Sequence, residues 1–138
     1  MAPAWAIWSL RLAAAQCLFW GPFIILLPRQ SSIVYGFQQP PTDLFLWQGS
    51  GLIIFLFGLG YLIASQDPFR HWLVVLIGLL AKVLGPVGML WSVMNGQVSS
   101  GVLLLIPLHD VLWWIPFSLI VMRREKPRRP DSPTGASS

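Results

Sequence analysis

Residues 72–89 read WLVVLIGLLAKVLGPVGM. Seventeen of these eighteen residues are uncharged, and the exception, Lys82, stands near the middle. An apolar run of this length is long enough for a membrane helix, which needs about 20 such residues to cross the hydrocarbon layer. Lipid offers no partner to a backbone N–H or C=O, so a run this long satisfies itself as a helix. An ammonium group at mid-depth costs several kcal/mol on insertion scales. Lys82 therefore needs a partner at its own depth.

Working outward, the span extends over 72–93, and three more runs of the same kind occur at 8–27, 44–64 and 102–122. The expected fold is all-α: a polytopic membrane four-helix bundle with both termini on one side. Composition agrees. Of 138 residues, 55% are hydrophobic and 10% charged, against roughly 25% charged in soluble domains. The first run is expected to stay as a helix, because Pro28-Arg29-Gln30 is no small-residue cleavage site. Residues 1–122 form one domain in this reading. Residues 123–138, RREKPRRPDSPTGASS, lack core-forming side chains and are expected to be a disordered basic tail.

The basic residues set the orientation. A cytoplasmic N and C terminus places Arg11, Arg70 and the five tail cations inside and leaves only Arg29 outside. The expected location is a bacterial inner (plasma) membrane, crossed several times. A basic run beside an apolar span is a topology signal, so no nucleic-acid partner is expected. The bilayer is the first partner; a second copy or another membrane protein is the other one considered. Trp5, Trp8, Trp47, Trp72 and Trp91 fall near span ends, where amphipathic rings settle.

The connections differ in kind. Residues 28–43 carry a Pro-rich turn, QQPPTD. The second link, SQDPFRH, is tight. There Asp67 can cap a helix, Arg70 can meet lipid phosphate, and His71 sits beside them at the interface. Asn95-Gly96 suits a turn in the third. Gly58, Gly60, Gly78, Gly85, Pro86 and Gly88 within the spans allow close helix approach or kinks.

Three polar groups share one layer. From the cytoplasmic ends, at ~1.5 Å per residue, Lys82 lies about 15 Å up, Asp110 about 18 Å and Gln16 about 12 Å. The third and fourth spans are joined by a short loop and should be antiparallel neighbours, so Lys82 and Asp110 can meet. The pair is either a clasp that fixes helix register or part of a ligand or proton site. His109, ~100° round the helix from Asp110, faces a cavity edge or serves as a structural histidine. Trp114 follows Asp110 on the same face, and Gln48 begins the second span near the outer side. The candidate ligand-binding set is therefore Lys82, Asp110, His109, Gln16, Gln48 and Trp114. Asp67, Arg70 and His71 form a separate interfacial cluster. No His, Cys and carboxylate residues stand at metal-ligand spacing, so no metal site is expected. The cofactor is left unknown.

The run WQGSGLIIFLFGLGYLIASQDPFRHWLVVLIGLLAKVLGPVG (47–88), followed by HDVLWWIPF (109–117), resembles a group of small bacterial four-helix membrane proteins. Members often carry the automatic label alkyl hydroperoxide reductase, and the group is loosely similar to DoxX-like proteins. The resemblance implies fold and location rather than mechanism. Thiol peroxidase chemistry needs an exposed, reactive thiolate. The single cysteine, Cys17, lies in an apolar run, which argues against that activity. The leading expectation is a protein that binds or carries a small amphipathic, lipid-like molecule or a proton. The alternatives are a membrane enzyme acting on a lipid or isoprenoid, with Asp110 or His109 as general acid/base and Lys82 stabilising charge, and a structural accessory subunit of a membrane complex.

Overall fold

The computed structural model describes residues 1–124. The expectation of a basic tail concerns residues that lie, from 125 onward, outside those described. Among the described residues the chain is helical throughout, with no strand. Helix α1 runs Ala4–Leu26, a short α2 runs Pro28–Val34, α3 runs Leu44–Ala64 and α4 runs Trp72–Met94. A 3-10 turn at Ser100–Leu104 and a π-turn at Pro107–Val111 then lead into α5, Leu112–Met122. Four segments are long and apolar enough to cross a membrane: Ala4–Leu26, Leu44–Ala64, Trp72–Met94 and Ser100–Met122.

Two segments differ from the simplest reading of the sequence. The connection over 28–43 opens with a helix, because Pro28 fits a first helical position. The fourth span is not one continuous α-helix. Pro107 has no N–H, and its ring crowds the carbonyl four residues back. The chain breaks ahead of it, and a wide π-turn follows before the regular helix resumes.

Helices α1 and α3 form the tightest pair. A Cβ at Gly21 would lie 2.8 Å from the Phe55 backbone nitrogen and 2.9 Å from the Gly51 oxygen. A Cβ at Gly51 would in turn lie 2.9 Å from the Gly21 oxygen. Two glycines thus let two backbones touch, which suits association in lipid, where hydrophobic burial drives little. Gly58 continues the seam against Cys17 and Leu18.

The buried core occupies the half of the bundle nearer the termini. Leu10, Ala13, Ala14, Tyr61, Ala64, Val75, Trp113, Phe117 and Ile120 make one cluster there. At that end Arg123 stands over Trp5, Arg124 over Trp72 and Arg11 over Trp8, at 5.5, 5.0 and 5.4 Å from the ring centroids. At the other end the first and third connections are tied together: the Ser99 N–H donates to the Gly36 carbonyl at 2.7 Å. Gly36 has φ +87°, a backbone state other residues rarely adopt, and a Cβ there would meet Val102. Between the closed core and these tied loops α1 and α3 stay in contact, and a space opens beside them toward α4.

Candidate functional site: a polar-edged cavity

A cavity of about 370 Å³ fills that space. It falls in the roughly 300–1,000 Å³ range of small-molecule sites. Lys82 and Asp110 come together at its edge. Lys82 Nζ lies 3.8 Å from Asp110 Oδ1, and the two side chains are 11% and 23% exposed. The same ammonium donates to the carbonyl oxygen of His109. Lys82 is thus neutralised by a carboxylate and a carbonyl, both delivered by the π-turn.

The neighbouring hydrogen bonds show how local breaks in the helices build this edge. The Leu112 N–H reaches the Pro107 oxygen, five residues back. The Leu108 oxygen therefore loses its usual donor four residues ahead, and Gln16 Nε2 donates to it at 3.3 Å. Gln16 Oε1 in turn accepts from Trp113 Nε1 at 2.7 Å. On α4, the oxygen of Lys82 would normally accept from residue 86, but that residue is Pro86 and has no N–H. Trp114 Nε1 donates to this oxygen instead, at 3.1 Å.

His109 borders the cavity between two rings, Trp20 at 4.8 Å and Tyr35 at 6.0 Å between centroids. Its Nδ1 and Nε2 are both buried, and neither has a hydrogen-bond partner among the described residues. A neutral imidazole carries one donor and one acceptor, and groups of this kind are normally satisfied when buried. Tyr35 closes the outer end beside His109. Burial, and after it the Asp110 carboxylate, raises the Tyr35 hydroxyl well above its usual pKa, so this side chain stays neutral.

Of the residues singled out from sequence, Gln16, Lys82, His109 and Asp110 line the cavity. Gln48 and Trp114 lie elsewhere. Gln48 Nε2 donates to the Ile25 oxygen at 2.8 Å and serves the end of α1. Trp114 is drawn to α4 by the Lys82 carbonyl that Pro86 leaves free. The Asp67 cluster sits at the opposite end. There Asp67 Oδ1 accepts from the Arg70 N–H at 3.3 Å, and the His71 N–H bonds the Asp67 oxygen. Asp67 thus holds the turn ahead of α4 rather than the first turn of the helix itself.

The aromatic wall comes from residues the sequence did not distinguish: Trp20, Tyr35, Phe57 and Tyr61. Phe57 and Tyr61 are one helical step apart on α3. For these two the signal was hidden because α3 is apolar all round them, from Gly51 onward. No group of three or more His, Cys, Asp or Glu residues able to hold a metal occurs among the described residues. Chemically, the site offers an ammonium, a carboxylate, an imidazole and apolar walls part-way along helices long and apolar enough to cross a membrane.

Comparisons with protein-family models, with curated proteins and with solved structures find no match to this chain.

Proposed function

We propose that this chain is a multi-pass membrane protein that binds or carries a small amphipathic, lipid-like molecule in the cavity beside Lys82 and Asp110. One observation carries the reading: a cavity with apolar and aromatic walls converges on a compact set of polar groups. That is the general form of a small-molecule site. A register clasp alone would need the ion pair but not the space beside it. The same proposal places the protein among small bacterial four-helix membrane proteins, loosely DoxX-like, in the inner membrane with both termini cytoplasmic. The distribution of Lys and Arg supports that orientation.

Native mass spectrometry of the detergent-purified protein tests this. A bound lipid-like molecule should be carried by the wild type and lost from Lys82→Met/Asp110→Leu. A protein that is empty under all conditions, or equally loaded after the double substitution, would remove the site. A second reading, a membrane enzyme acting on a lipid or isoprenoid, is favoured by the unpartnered His109 nitrogens. They leave an imidazole free for general acid–base work. Chemical conversion of the retained molecule during incubation, abolished by His109→Phe, would select it.

A further inference from the structure

We infer that the cavity is entered sideways from the bilayer, through the seam between α3 and α4, by a single-chain lipid with an uncharged hydrogen-bonding head. The inference rests on the binding reading above and adds the route and the ligand class.

The two helices form a V. They meet near their connection, where Gly78 packs on the Tyr61 ring and a Cβ at Gly60 would lie 3.3 Å from Val74 Cγ1. Further along α4, a Cβ at Gly85 or Gly88 would meet nothing within 4 Å. A second hollow, of about 260 Å³, lies along the outer side of this seam between Gly60 and Val74. It shares Ile53 and Phe57 with the cavity. On α4, Val74, Ile77, Ala81 and Gly85 follow one another at three- and four-residue steps and so share a face. Val74 and Ile77 line the hollow, and Ala81 and Gly85 line the cavity. Hollow and cavity are therefore one trough, shallow at one end and deep at the other.

The direction of access follows. At the loop end, Tyr35 and Val102 close the cavity, and the Ser99–Gly36 bond holds their loops together. At the other end lies the Tyr61–Phe117–Trp113 core. The side remains. Ile53, Leu56 and Ile77 at the trough's outer rim are each more than half exposed, and no residue lining the shallow hollow is charged or polar. A hydrocarbon chain fits such a lining.

The head chemistry comes from the pair. An ammonium has three N–H donors, and in Lys82 one goes to the His109 oxygen and one faces Asp110. A donor remains, and the carboxylate retains acceptor capacity. The two charges cancel, so a charged head would bring an uncompensated charge to mid-depth, where it is costly. A head with both donor and acceptor, such as a glycerol or alcohol hydroxyl, suits the site.

The test uses the full chain in phosphatidylcholine vesicles with a monoacylglycerol carrying a mid-chain diazirine. After photolysis, peptide mapping should find cross-links at Ile53 and Phe57 that unlabelled monoacylglycerol competes away. Alkyl sulfate and alkyltrimethylammonium of the same chain length should compete at least tenfold less well. Leu56→Trp/Ile77→Trp fills only the shallow hollow, at exposed positions, and should cut the competed signal at least tenfold without lowering the melting temperature. Competed cross-links that survive this variant would overturn the lateral route and leave the binding reading standing. Equal competition by either charged amphiphile would overturn the head assignment. Labelling that no amphiphile competes for, spread evenly over lipid-facing residues, would overturn route and binding together.

Discussion

Trp114 donates its indole N–H to the carbonyl of Lys82, 3.1 Å away, at the position where Pro86 removes the donor that α4 would itself supply. The lysine is therefore held twice. Its backbone is held by Trp114, and its ammonium by Asp110 and the His109 carbonyl. All three partners come from the same stretch of the fourth span. A proline on one helix and an indole on the next act as one unit.

This unit predicts a conditional effect. Trp114→Phe should leave the Lys82 oxygen unpartnered and cost about 1–3 kcal/mol, as for a buried unsatisfied polar group. In a Pro86→Ala background the restored N–H at residue 86 can take that oxygen, and the same Trp114→Phe change should cost much less. Unfolding of the four single and double variants in mixed detergent checks this. Equal costs in both backgrounds would show that the two residues are independent.

Breaking the ion pair should be expensive, and removing it should not. Lys82→Met or Asp110→Leu alone leaves one buried charge and should cost roughly 3–5 kcal/mol. The double substitution should recover much of that loss. Singles as stable as wild type in the same unfolding assay would mean that water reaches both groups. If the double variant folds yet loses its bound molecule, the pair belongs to a working site. If it folds and keeps the molecule, the pair is a clasp.

The α1–α3 crossing should tolerate no side chain. Gly21→Val or Gly51→Val would drive a Cβ into the facing backbone, so the helices must separate. A loss of at least about 1–3 kcal/mol follows from overpacking of this kind. Gly88→Ala, which meets nothing within 4 Å, should be close to neutral. Melting temperatures of the three purified variants make the comparison, and a Gly88→Ala as damaging as Gly21→Val would contradict the packing.

Orientation is open to a direct assay. A reporter active only in the cytoplasm, fused after Ser138, should give signal, and one active only in the periplasm should not. The reverse pattern would invert the bundle and carry Arg11, Arg70 and the C-terminal cations across.

The amino-acid sequence by itself determined that four long apolar segments form helices, because backbone groups in lipid have no other partners. It also placed Lys82, Asp110 and Gln16 in one layer, since depth in a membrane helix follows from counting residues at a constant rise. A full charge at that depth has few rivals, so the pairing could be read without coordinates. Tertiary structure alone decided which faces meet. From Gly51 onward helix α3 is apolar on every side, so nothing in its pattern set Phe57 and Tyr61 apart as cavity wall, and nothing in the count of glycines separated Gly21 and Gly51 from Gly85 and Gly88. Gln48 was expected near the outer side of the site and Trp114 on the face of Asp110. Their polar groups went instead to carbonyls left free by a helix end at Ile25 and by Pro86 four residues beyond Lys82. Such vacancies are local in origin, but their partners come from other helices. Only packing in three dimensions selects them.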